Sequence, residues 1–353
     1  MTIRRRIQGD VLKYSTRAFG DPNSPPTATL ESGLRLSVRY GTVRQVLLLT
    51  YQADRRTLSY VTVTTALLVL QWSLRSFQPI LYIWCLFMAV SVAVIAHNHN
   101  HVPLWRSRFL NVLTDFWLTL FYGFPAFAWI PTHNKNHHFL NNKAGDYTIT
   151  YRISEKNNLW TLLSYPSISS FFQQKPIRDY LKSLWRSNRP KFYLAVSQYL
   201  LLGVYYALAL LVNWKKAVLF IVIPHQVSLF SVLIFNYVQH VHADEESAYN
   251  HARNFTGLIN LMLFNNGYHT VHHESPGIHW SLTPAAQREI DPLIDPSLNE
   301  RSFWWYILRV YFLAPFHSGF GTVSKRLERI RALPLPALPS AAPSAPPEAP
   351  HAV

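Results

Sequence analysis

Nine of the sixteen histidines in this 353-residue chain stand at metal-ligand spacing within four short boxes. Box one is His97-Asn-His-Asn-His101, and box two is His133-Asn-Lys-Asn-His137-His138. His240 is the single candidate in NYVQHVHAD, and box four is His269-Thr-Val-His272-His273. Residues three and four apart share one face of an α-helix. On that spacing His97 and His101 point at one metal, as do His133 with His137, and His269 with both His272 and His273. Adjacent residues such as His137 and His138 diverge by about 100°, so such a pair can serve two metals or two sides of one cluster. Imidazole suits iron, zinc and copper, and nine imidazoles exceed what a single six-coordinate ion uses. Two ions are the economical reading.

The remaining histidines divide by position. His99 lies about 200° around an ideal helix from His97 and faces away from the others. His242 and His251 read as ordinary polar residues. His225, beside Pro224 in an apolar stretch, reads as a buried, hydrogen-bonded imidazole. His279 is close enough to box four to support it. Asn236 falls one helical turn before His240 and shares its face, which suits it to hold a metal-bound water. Asn265 is a further polar candidate just ahead of box four.

The elements that must carry these boxes are apolar. Nearly half the residues are hydrophobic and 14% are charged, below the roughly 25% of a soluble domain. Four stretches are long enough to cross a hydrocarbon core of about 30 Å as helices: 58–77, 80–96, 192–213 and 217–237. Short turns at Gln78 and Pro79, and at Trp214, Lys215 and Lys216, make two hairpins of them. The Arg- and Lys-rich segment before the first hairpin belongs in the cytosol by the positive-inside rule, although Lys215 and Lys216 run against it. The stretch 139–191 reads as a basic loop. The run 109–130 is apolar but holds Asp115, Gly123 and Pro125. It must begin and end on one side of the membrane, or His133 would be stranded opposite His101, so it reads as re-entrant. The aromatic run 302–316 is too short to span and suits either the headgroup level or a helix packed on a cytosolic cap.

The expected fold is therefore an all-α integral membrane protein: four transmembrane helices in two hairpins, re-entrant or interfacial helices, and a cytosolic cap carrying the boxes. Residues 1–57 form a cytosolic N-terminal segment, 58–316 the membrane domain, and 317–353 a C-terminal segment that is Pro/Ala-rich and disordered from about 332. No cleavable signal peptide precedes the first span. Cys85 is the single cysteine, which excludes an internal disulfide and a cysteine-ligated cluster. The net charge of +15 flanks apolar spans without any nucleic-acid motif, so anionic lipid rather than nucleic acid is the expected partner. A histidine-rich metal transporter would need polar residues lining a path through the bilayer, whereas here the boxes gather at one side.

These motifs resemble the membrane fatty-acid desaturase and alkane hydroxylase superfamily: HNHNH its HxxxH box, HNKNHH its second box, HTVHH its HxxHH box, and NYVQH its isolated histidine. The resemblance covers about 58–284. It implies non-haem di-iron chemistry, with two Fe ions, O₂ as co-substrate and a separate electron-donor protein of ferredoxin, rubredoxin or cytochrome b5 type. Carried over, it makes His97, His101, His133, His137, His138, His240, His269, His272 and His273 the ligands, with Asn236 binding through water. A fatty acid, acyl-lipid or carrier-bound acyl chain is the implied substrate, and Arg152, Lys156 and Arg178 in the basic cap suit an anionic head. Fatty acid desaturation is the leading reaction. The HxxxHH second box is that of alkane hydroxylases, so hydroxylation and terminal-alkene-forming decarboxylation are the alternatives. The implied location is multi-pass in a bacterial inner membrane, with active site and termini cytosolic.

Overall fold

The protein is described as a computed structural model over residues 49–333. The basic stretch before Leu49 and the Pro/Ala-rich tail, with the expectations placed on them, lie outside the described residues. Apart from one pair of two-residue parallel strands, Asn254–Phe255 and Asn299–Glu300, the regular elements are helical.

Helices α1 (Arg55–Ser73) and α2 (Pro79–His101) form the first hairpin. Pro79 sits in the first turn of α2, where its missing N–H costs nothing. The 23 residues of α2 rise about 34 Å at 1.5 Å each, and its last turns carry box one. Helix α3 (Arg108–Tyr122) starts where the Ser107 side chain accepts from the Leu110 N–H, and it stops at Gly123 in the left-handed conformation, φ 83°. Its length of about 22 Å falls short of a bilayer core. The chain then turns through Pro125 and Ala126–Ala128 into a π-helix, Ile130–His137, which bears box two. The apolar run 109–130 is thus a broken element rather than one straight helix.

The stretch 139–191 does not match the expected loop. Most of it is a 29-residue helix, α4 (Leu159–Ser187), opened by a reciprocal capping box between Asn158 and Thr161. Pro166 and Pro176 lie inside it, and prolines ordinarily mark helix ends in a sequence. It is held by the stripe Leu162, Tyr165, Ser169, Ile177 and Leu184, which it buries while exposing Trp160 and Phe171.

Helices α5 (Arg189–Ala217) and α6 (Ile223–His240) are joined by a π-helical stretch, Val218–Val222. The helical path breaks inside α5 at Asn213, whose φ of −160° and ψ of 94° are extended. Its Oδ1 accepts from the Lys216 N–H at 3.1 Å and so caps the helix that resumes. The chain reverses there: the Tyr206 hydroxyl lies 2.6 Å from His225 Nδ1, whereas nineteen residues of straight helix would part them by about 28 Å. Lys216 Nζ donates to the carbonyls of Leu74, at 2.9 Å, and Trp72. Both hairpin turns therefore sit together at one end, opposite the histidine-bearing ends of α2 and α6. Among the described residues, two stretches are long and apolar enough to cross a membrane: α2, and the run 189–240 that Asn213 folds in two. Helix α1, which carries buried Thr57, Thr64 and Gln71, is not one of them.

Beyond α6 the chain builds a compact cap around Tyr237, Phe255, Tyr306 and Tyr311, all buried. The aromatic run near 302–316 packs Phe303, Tyr306, Val310 and Tyr311 inward and leaves Trp304, Trp305, Phe312 and Phe316 exposed. Packing continues past both ends of 58–316. Asp54 is buried against Thr57, His279 and Trp280. The helix Lys325–Ala332 is clamped by Arg326 on Glu155 and Glu245, and by Arg329 on Asp244 and Glu245.

Candidate metal centre

The end of α2 presents His97 and His101, the π-helix presents His133 and His137 with His138 directly following, and the end of α6 presents His240. A six-residue helix, α7 (His269–Glu274), supplies the last three. A left-handed pair, Phe264 and Asn265, aims the chain into α7. Asn265 donates its side-chain amide to the Trp280 carbonyl, so it shapes the approach to the box.

All nine histidines converge, in two groups whose facing atoms lie within 4.8 Å of one another. His97, His101, His133, His138 and His272 form one, and His137, His240, His269 and His273 the other. The adjacent pairs His137/His138 and His272/His273 are each split between the groups. Two pairings differ from those read on α-helical spacing. His133 pairs with His138, Nε2 to Nε2 at 3.0 Å, rather than with His137, because the wider turn of a π-helix, bonded i to i+5, brings residues five apart onto one side. His269 groups with His273, at 3.2 Å, rather than also with His272, whose Nε2 lies 2.9 Å from that of His97.

The spacing fits metal coordination. Two imidazole nitrogens about 2.1 Å from one ion at right angles stand about 3.0 Å apart. His240 Nε2 is 3.1 Å from His137, 2.9 Å from His269 and 3.1 Å from His273. Burial, and then repulsion from neighbouring imidazoles, hold His133, His138, His269, His272 and His273 well below the ordinary histidine range. These rings are neutral, and each has a lone pair to give. Buried His101 Nε2 has no hydrogen-bond partner.

Residues 70–305 match the family model described as Fatty acid desaturase. The chain belongs to the fatty acid desaturase family. No curated protein and no solved structure matches it.

Around the histidines of this desaturase-family chain, the structure assigns places to the other candidates. Asn236 lines a cavity of about 270 Å³ that reaches His97, His133 and His269. Its Nδ2 donates to the Tyr165 hydroxyl at 2.6 Å, and that hydroxyl donates to the Thr148 carbonyl at 2.6 Å. Its apolar lining includes Val94, Leu229, Val232 and Leu233. His279 is stacked on Tyr51 and sits 3.0 Å from Asp54 Oδ2, which anchors the segment before α1, and it lines a small pocket together with His97, His101 and His272. His99 faces away from the clusters, accepting from the Leu104 N–H and lying 3.5 Å from Asp115.

Three residues have roles that sequence reading missed. His251 is buried, and its backbone carbonyl lies 3.2 Å from His240 Nδ1. His242, at φ 62°, bridges the Thr322 and Glu155 carbonyls and turns the chain into the cap. Asp146, fully buried, places Oδ2 2.8 Å from His137 Nδ1. Burial alone would raise its carboxyl, but His137 and the hydrogen bonds from Thr148 outweigh that and hold it well below the usual carboxylate range. Its one sequence signal is the turn-rich NNKAGD run that follows box two. Arg152, read as suited to an anionic head, donates to the Asp146 carbonyl and covers the Phe172 ring.

Proposed function

We propose that the chain is an O₂-dependent, non-haem di-iron oxidoreductase that acts on an unactivated C–H bond of a fatty acid or acyl chain, as a fatty acid desaturase. The observation that carries this reading is the division of nine buried or half-buried imidazoles into two touching groups at the end of a largely apolar cavity. His97, His101, His133, His138 and His272 are the ligands of one iron, and His137, His240, His269 and His273 those of the other. When bound, the irons supply the oxidising power, fed by O₂ and a separate electron-donor protein, that no side chain has.

The protein's own residues do the positioning. Val94, Leu229, Val232 and Leu233 favour an alkyl chain by apolar contact and exclude water from it. Asn236, held by Tyr165, puts a polar group into the cavity lining that also includes His269. Rigid seating of the chain decides whether a second hydrogen is lost, an oxygen is added or CO₂ leaves, because small changes in reach select the outcome.

The same reading places α1, α2, α5 and α6 across the membrane as two hairpins. Their joined turns lie on the outer side and the histidine ends on the cytosolic side. The short, broken α3 dips in and returns, and the short length of α3 and the Gly123 turn support this. A net charge of +15 favours anionic lipid and an acidic donor protein.

The test is to supply the iron-loaded protein in lipid with a deuterated fatty acid, O₂ and a donor system, and to read the products by mass spectrometry. Loss of two hydrogens is the expected result. A product heavier by one oxygen, or shorter by one carbon, would replace desaturation with hydroxylation or decarboxylation. A protein that takes up zinc alone and consumes no O₂ would end the oxidoreductase reading.

A further inference from the structure

The two histidine groups are not equivalent. Among the described residues, His137 alone of the nine has a carboxylate against its ring, and that carboxylate is built in. Asp146 accepts from the Asn142 N–H at 2.8 Å, from the Thr148 N–H and hydroxyl at 2.7 Å each, and faces His137 Nδ1 at 2.8 Å. The loop that delivers it is shaped for that purpose. Asn141 and Asn142 adopt left-handed φ values of 47° and 65°, and Gly145 follows at 96°. Asn136, within box two, ties the loop back by donating to the Gly145 carbonyl and accepting from the Tyr147 N–H. Both groups hold buried Nδ1 atoms without a hydrogen-bond partner, His97 and His138 in one and His269 and His273 in the other, so the carboxylate on His137 is what sets the groups apart.

We propose that Asp146 is a positioning residue for the four-histidine ion alone, so that the two ions of this chain are held by separable means. The inference rests on the two-ion reading above. The carboxylate fixes the proton of His137 on Nδ1, turns the Nε2 lone pair toward His240, and makes the ring a stronger donor. It also lends the four-histidine pocket a negative charge where the other group has a fifth neutral imidazole. An amide cannot replace it: both oxygens of Asp146 receive N–H or O–H donors, and the NH₂ of an asparagine would face one of those donors.

The experiment is metal uptake by the full-length protein in lipid nanodiscs. The metal-free protein is titrated anaerobically with cobalt(II), followed by absorbance, and in parallel loaded with ⁵⁷Fe(II) for Mössbauer spectroscopy. The unaltered protein takes two ions per chain. Asp146→Asn keeps one at unaltered affinity, binds the second about 10- to 100-fold more weakly, and loses one of two iron signals at limiting metal. Two ions bound with unaltered affinity by Asp146→Asn, or equal weakening of both, would overturn the proposal while leaving the two-ion reading standing. Fewer than two ions in the unaltered protein would remove both. Should Asp146→Asn fail to accumulate, Thr148→Val decides the matter. It keeps the carboxylate but removes the hydroxyl that bridges Asp146 and His137 Nδ1, at 2.7 and 2.9 Å. Selective weakening of one ion supports the proposal, and unchanged uptake of both overturns it.

Discussion

His133 Nε2 lies 3.0 Å from His138 Nε2, five residues further on, while the intervening His137 turns its Nε2 to His240 at 3.1 Å. The π-helix Ile130–His137 causes this division. Its wider repeat brings i and i+5 together and frees His137 to serve the other group. Box two is therefore a junction between the two groups rather than one face of an α-helix.

The junction makes His137→Ala and His138→Ala distinguishable. Each is expected to lower bound iron by about one ion per chain, from different groups, because a lost imidazole opens the shell of one ion. Elemental analysis gives the stoichiometry and Mössbauer spectroscopy the identity of the lost signal. Identical spectra from the two variants would contradict the division.

Gly123 sets the turn after α3, and a Cβ there would meet the His225 side chain at 2.4 Å while the backbone holds φ at 83°. Left-handed backbone costs a non-glycine residue about 1–2 kcal/mol and overpacking about 1–3 kcal/mol. Gly123→Ala is expected to lower the thermal unfolding midpoint in detergent, whereas Gly203→Ala, with open space around it, should not.

Lys216 and Lys215 are neighbours in one turn with different work. Lys216 Nζ satisfies carbonyls at the end of α1, while Lys215 lies over the Trp214 ring at 5.7 Å. Lys216→Met should cost about 1–3 kcal/mol by stripping partly buried carbonyls of a charged donor, and Lys215→Met less than 1 kcal/mol by loss of a cation–π contact. Unfolding of the two variants side by side measures the difference.

The docked helix Lys325–Ala332 should loosen in acid. The Lys325 ammonium, 2.9 Å away, holds Asp295 down to about 2, below its ordinary 3.8. A depressed carboxylate contributes stability that is present above its unfolded pKa and lost as pH falls through the folded one. The window is therefore about pH 4 down to 2, and the effect is modest because the pair is partly exposed. Amide hydrogen exchange in 325–332, corrected for intrinsic rate, should rise across that window, and Asp295→Asn should remove that share of the change.

Much of this protein is legible from its residues alone. Imidazole is a metal ligand wherever it is gathered and buried, so the number and clustering of histidines pointed to two ions before any coordinates. Apolar length marked the helices that end in His101 and His240, and the need for His133 to meet His101 excluded a straight crossing by 109–130. Tertiary structure decided the rest. The partition of the boxes depends on a π-helix, and spacing read at 3.6 residues per turn pairs His133 with the wrong neighbour. Helix α4 was hidden because Pro166 and Pro176 interrupt its signal, while its stability comes from the stripe it buries. Asp146 was hidden because nothing local marks a carboxylate nine residues past His137 as its partner. Only the left-handed turns through Asn141, Asn142 and Gly145 bring it there.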